Sequence, residues 1–148
     1  MARSVAKLKM GFYPLPESEG ANLCQLLSFT GPASVVDPCV GLGVALKLIT
    51  HGVDVRRYGV ELDAERALAA SATGIETIQG NTFDAMSKPE SFSLLYLNPP
   101  YDSEIGSIGN SRMEHLFLEH TFRWLVMEGV LVLVILRLTP FVACDCIQ

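Results

Sequence analysis

The chain has 148 residues, enough for one domain with a buried core and short for a complete enzyme carrying its own substrate-recognition domain. Its composition, 49% hydrophobic and 18% charged with a mean hydropathy of +0.33, excludes a disordered chain and favours a sheet buried on both faces. The formal net charge of −5 excludes the basic footprint that long duplex nucleic acid demands, so any polynucleotide contact is local or supplied by another chain.

Residues 1–10 carry positive charge but no apolar core of signal-peptide length, and the apolar run at 130–136 is too short to span a bilayer, so a soluble, cytoplasmic protein is expected. Phe12-Tyr13-Pro14-Leu15-Pro16 reads as extended, because each proline fixes its own φ and turns the preceding residue away from helix. A helix is predicted over 17–29. A strand at 34–37 then runs into Asp37-Pro38-Cys39-Val40-Gly41-Leu42-Gly43, followed by a helix over 44–51.

A second unit pairs a strand at 57–62 with a helix at 64–72, and a third places a strand at 76–79 before Gly80-Asn81-Thr82-Phe83-Asp84. A buried-type strand at 92–97 ends in Asn98-Pro99-Pro100-Tyr101, and a polar loop to residue 110 leads to a helix over 113–126 and a strand at 130–136. This alternation predicts an α/β fold with a mostly parallel sheet and helices on both faces, its ligands outside the carboxyl ends of the strands. No repeat or linker divides the chain: one domain is expected, with an N-terminal segment and helix over 1–30, a core over 31–137 and a tail over 138–148. Of the four cysteines, Cys24, Cys39, Cys144 and Cys146, only the last two are close in sequence, and two thiols do not complete a zinc site, so reduced cysteines and no metal are expected.

Every motif falls at a strand's carboxyl end. Gly41 and Gly43 let the backbone turn tightly and approach a ligand, while Asp37 suits a cationic amine better than a pyrophosphate. A nucleoside carrying an ammonium group fits there; the bland alternative is a glycine turn that only serves the fold. Glu61 closes the second strand near the offset from a glycine loop at which an acid accepts from a ribose diol, with Leu62 grouped beside it, although an acid at a strand end is often merely solvated. Asn81 and Phe83 offer an amide and a ring for the edge and face of an adenine, and Asn81 equally suits a helix N-cap.

The specific signal is Asn98-Pro99-Pro100-Tyr101. Two prolines after a buried strand remove two N–H donors and aim the Asn98 side chain and the Pro99 carbonyl into one crevice. Two acceptors there draw on both hydrogens of an sp² amine, favouring a more tetrahedral nitrogen whose lone pair points outward. Attack on a sulfonium methyl then needs positioning and electrostatics, with no metal. Tyr101 is expected to stack on a planar substrate, which offsets part of the cost of flipping a base out of a duplex. The alternative is a rigid strand exit with a core tyrosine.

From Phe12 to about Leu136 the sequence resembles the amino-methyltransferases of the N6-adenine DNA type, class I S-adenosylmethionine-dependent enzymes with a Rossmann-like fold, in the motif order of their gamma-like group. The resemblance implies that Phe12, Tyr13 and Pro14 line the methionine end of the cofactor, that Asp37, Gly41 and Gly43 form the glycine-rich motif, and that Glu61 binds the ribose and Asn81 the adenine. It further implies that Asn98, Pro99, Pro100 and Tyr101 form the catalytic motif, with Asn98 also touching S-adenosylmethionine. Leu15 replaces a threonine and Asn81 a common aspartate, so modest cofactor affinity is expected. The chain is also expected to lack the family's last strands and any target-recognition region, leaving the 130–136 strand with a hydrophobic edge that a second copy or a partner chain covers. DNA is the implied substrate. A protein glutamine amide and a non-catalytic cofactor-binding module are the alternatives.

Overall fold

The computed structural model describes residues 14–100 and 113–135. Phe12, Tyr13, Tyr101, Cys144 and Cys146 lie outside the described residues, as do the whole of the expected tail over 138–148 and the end of the expected last strand.

The elements alternate as the hydrophobic pattern requires: α1 (Glu17–Leu26), β1 (Ala33–Asp37), α2 (Val44–Ile49), β2 (Val55–Glu61), α3 (Ala64–Ala72), β3 (Glu76–Gln79), β4 (Phe92–Leu97), α4 (Met113–Thr121) and β5 (Leu125–Leu133). Short 3₁₀ turns cover Thr82–Asp84 and Phe122–Trp124. Among the described residues five parallel strands form one sheet in the order β3-β2-β1-β4-β5, with β1 central and Val35 and Val36 paired to Leu94 and Leu95 of β4. The chain moves outward from β1 to β3, then crosses back to β4. That reversal between β1 and β4 opens a crevice at their carboxyl ends.

Alternation along each strand divides the core between the two faces. Val35, Leu94 and Tyr96 pack with Leu46 and Ile49 of α2, Ala70 of α3, and Leu23 of α1. Val36 and Leu95 pack with Trp124 on the other face, joined by Phe92, which precedes the register irregularity before Leu94. Each fully buried Val, Leu or Ile contributes roughly 1.5–3 kcal/mol of apolar transfer, so this double-sided burial holds the strand ends that carry the motifs. Arg57 of β2 ties down the end of α2, donating from Nε to the Thr50 hydroxyl at 2.8 Å and from Nη2 to the Thr50 carbonyl at 3.0 Å. Among the described residues no helix is long and apolar enough to cross a membrane.

Three elements depart from expectation by three residues or more at an end. The first helix stops at Leu26 because Leu27 turns extended (φ −91°, ψ 133°), which lets Leu27 and Phe29 reach the core without the helix. The fourth helix ends at Thr121 rather than 126, since the carbonyls of Arg123 and Trp124 accept from Glu90 and Ser91 at 3.0 and 2.8 Å and pull the chain onto β4. The fifth strand therefore begins at Leu125, opposite Phe92, and resumes at Val130, opposite Leu94, after an irregularity containing Glu128 at φ +63°.

Candidate active site

The loop after β1 is built around its own strand end and the next one. Cys39 N–H donates to Asp37 Oδ1 at 2.9 Å, Val40 N–H to the Val60 carbonyl at 3.0 Å, and Gly43 N–H back to the Val40 carbonyl at 2.8 Å. Gly43 sits at φ +79°, a backbone conformation that favours glycine, and a Cβ there would lie 2.5 Å from Ile75 Cδ1 and push that side chain aside. Gly59 in β2 answers a different need: a Cβ there would lie 2.7 Å from Val40, whose side chain packs onto the strand. The Thr82 hydroxyl donates to the Pro38 carbonyl, fastening the segment after β3 to the same loop.

Asp37 is 2% exposed, and burial raises its carboxyl to about pKa 7. The Cys39 backbone and side chain oppose that shift, and the negative charge of Glu61 adds to it. The neighbouring Cys39 thiol is pushed well above its ordinary value, first by burial and then by Asp37, so it stays protonated. Glu61, 6% exposed, accepts from Gly41 N–H through Oε2 at 2.9 Å, and through Oε1 from Asp63 N–H at 2.8 Å and from Arg66 Nε and Nη2 at 3.1 and 2.7 Å.

These groups open on one cleft of about 240 Å³ at the carboxyl ends of the strands. Of the residues singled out from sequence, Pro14, Asp37, Glu61, Leu62, Asn81, Phe83, Asn98 and Pro100 line it. Gly41 and Gly43 shape the loop at its edge, and Pro99 is buried without lining it. Asn81 does cap the 3₁₀ turn, its Oδ1 accepting from Phe83 N–H at 3.1 Å, while remaining on the cleft wall. Phe83 meets Phe117 of α4 edge-on with ring centroids 4.9 Å apart, so part of its ring is committed to the core.

Residues that sequence reasoning missed also line the cleft, among them Cys39, Arg66, Tyr96, Thr82, Met113 and Phe117. Tyr96 had a readable signal, two positions before Asn98 and so on the same face of β4. Met113 and Phe117, four apart, present one face of α4. Arg66 gave none, because nothing local says which way its side chain turns. Among the described residues no group of three or more His, Cys, Asp or Glu is placed to hold a metal ion.

The family model described as "Uncharacterised methyltransferase family (DUF6094)" matches residues 1–147, and the chain belongs to that family. No curated protein matches the sequence. Similar solved structures include a class I S-adenosylmethionine-dependent methyltransferase, so far assigned provisionally, from Listeria monocytogenes: TM-score 0.70, 18% identity, 85% of this chain and 48% of that one covered. The methyltransferase subunit of a type I restriction-modification system from Streptococcus thermophilus matches with TM-score 0.65 and 18% identity, over 83% of this chain and 34% of that one. Geranyl diphosphate methyltransferase, solved in complex with S-adenosylmethionine, matches with TM-score 0.61 and 16% identity over 79% and 48%. At these identities the likeness is one of fold: the Rossmann-like class I methyltransferase fold. The chain spans half or less of the length of these three structures.

Proposed function

We propose that this methyltransferase-family chain binds S-adenosylmethionine in the cleft and directs methyl transfer to an exocyclic amino nitrogen, adenine N6 in DNA. The observation that carries the proposal is the convergence of Asp37, Glu61 and Asn98, from the ends of β1, β2 and β4, on one cleft. A buried carboxylate raised to about pKa 7 by burial matches an ammonium group, which restores the favourable surroundings its charge lacks. Glu61 suits the ribose, and Leu62, Asn81 and Phe83 suit the adenine. The S-adenosylmethionine complex of geranyl diphosphate methyltransferase and the restriction-modification subunit, both sharing the fold, support the cofactor and a nucleic-acid substrate.

Bound there, S-adenosylmethionine supplies an electrophilic sulfonium methyl. The chain contributes position and polarity. Asn98 accepts an N–H from the target amine, drawing its lone pair toward the methyl, while Pro99 and Pro100, having no N–H, keep the strand exit rigid. The Leu97 carbonyl is held by Val134 N–H at 2.8 Å, which fixes the backbone immediately before Asn98.

Calorimetric titration with S-adenosylmethionine, with a nicotinamide dinucleotide as control, tests the cofactor. Asn98→Ala should then leave cofactor affinity within about 3-fold and lower transfer by about 100-fold, because its contact serves the reacting nitrogen. Mass spectrometry of methylated products fixes the substrate. N6-methyladenine supports the proposal; methylglutamine would move it to a protein amide, the reading that the net charge of −5 favours. Absence of S-adenosylmethionine binding overturns the proposal.

A further inference from the structure

Arg66 was not expected to belong to the cleft, yet it lines it and governs its second acid. It sits in the first turn of α3, where its own N–H is consumed by the Asp63 N-cap at 2.9 Å. From there the side chain runs back to the end of β2. Both donating nitrogens, Nε and Nη2, grip the same oxygen, Glu61 Oε1, rather than forking across the two oxygens of the carboxylate.

With Asp63 N–H, Oε1 accepts three N–H donors. A carboxylate oxygen offers about two in-plane lone-pair directions, so Oε1 has none left for a ligand. Oε2 accepts from Gly41 N–H and retains one direction. A ribose diol that meets a free carboxylate can give one hydroxyl to each oxygen. Here it meets one oxygen only. The ion pair is partly shielded from water, with the Arg66 side chain 17% and the Glu61 side chain 6% exposed, so screening does little to loosen it.

We infer that Arg66 is a positioning residue that commits Glu61 Oε1 to the protein and leaves Oε2 alone to face the ligand, so that the two ribose hydroxyls are read unequally. This rests on the reading of the cleft as an S-adenosylmethionine site. It predicts a property that a purely structural ion pair does not produce: one hydroxyl, accepted by a charged oxygen, matters far more than the other.

The test titrates S-adenosylhomocysteine and its 2′-deoxy and 3′-deoxy analogues into the wild-type chain and into Arg66→Met and Arg66→Lys. A hydrogen bond to a charged acceptor is worth about a factor of 10 or more in Kd. In the wild type one analogue should lose at least about 10-fold and the other less than about 3-fold. Arg66→Met frees Oε1 and should bring the two losses within about 3-fold of each other, and Arg66→Lys, which cannot offer two nitrogens in a fixed fork, should fall between. An Arg66 that merely anchors α3 would change all three affinities by one factor and leave their ratios intact. Equal losses in the wild type, or an asymmetry that survives in Arg66→Met, overturn the inference while the cofactor reading stands. Absence of binding by S-adenosylhomocysteine itself overturns both. Where Arg66→Met does not fold, equal losses in the wild type still overturn the inference, and Arg66→Lys carries the test of Arg66 itself: an asymmetry unchanged from the wild type overturns it, and a reduced one supports it.

Discussion

The ends of β1 and β2 lie side by side in the sheet, and each carries a carboxylate withdrawn from water, Asp37 at 2% and Glu61 at 6% exposure. Around Glu61 the protein places two backbone N–H bonds and two more from the Arg66 guanidinium; around Asp37 the donor is Cys39, through its backbone N–H to Oδ1 and its side chain, and the neighbouring charge is the like charge of Glu61. One acid is therefore completed by the fold, and the other is left with a raised pKa of about 7. On the proposed reading, Asp37 is the acid of the two that a bound ammonium group would complete. A residue stabilised by its own protein serves as framework as well as contact, whereas one held at a cost to stability points to a ligand of opposite charge.

The largest expected effect exploits the sign of that cost. The folded-state pKa of Asp37 is raised, so the folded chain holds a proton that the unfolded chain releases between pH of about 4 and 7. Stability should then be greatest below the unfolded value and fall as pH rises through about 7, by at most about 4 kcal/mol. Asp37→Asn should remove this dependence and be more stable than the wild type at pH 8, even as it weakens S-adenosylmethionine binding. Urea melts of both chains from pH 4 to 8 provide the measurement, and parallel curves for the two would contradict the burial of a strained acid.

Next in size is Gly43→Ala, which strikes the loop that joins both acids. A Cβ 2.5 Å from Ile75 Cδ1 at φ +79° should lower stability by about 3 kcal/mol at every pH. Loss of under about 1 kcal/mol in a urea melt would mean that the loop yields. The smallest effect is the mirror of the first: Glu61→Gln makes the same carboxylate-to-amide change one strand away and should destabilise by about 2 kcal/mol, because Arg66 loses a charged acceptor. Urea melts at pH 8 should give Asp37→Asn and Glu61→Gln opposite signs, and equal signs would contradict the contrast between the two acids.

Much of this was legible from residues in order. The β-branched run before Asp37, the apolar run before Asn98 and the two-proline exit mark strand ends by local chemistry, and the crevice collects them as the parallel-sheet rule requires. Sequence expectation and structure part where local signals are ambiguous. Residues 122–126 continue a helical apolar spacing, yet hydrogen bonds from Glu90 and Ser91 turn the chain into a strand there, a contact made across more than thirty positions of sequence. Leu27 and Phe29 likewise fit a helix face, and the core takes them in extended form.

The alternating architecture, the glycine loop and the candidates at the strand ends follow from residue order, since hydrophobic period, proline and glycine act within a few residues. Which acid is satisfied and which is not is a matter of contacts between distant segments. That outcome depends on β1 lying between β2 and β4, on Gly41 reaching Glu61 across twenty positions, and on Arg66 turning back along α3 to grip one oxygen. Such contacts are set by strand order and side-chain direction, which no local pattern encodes.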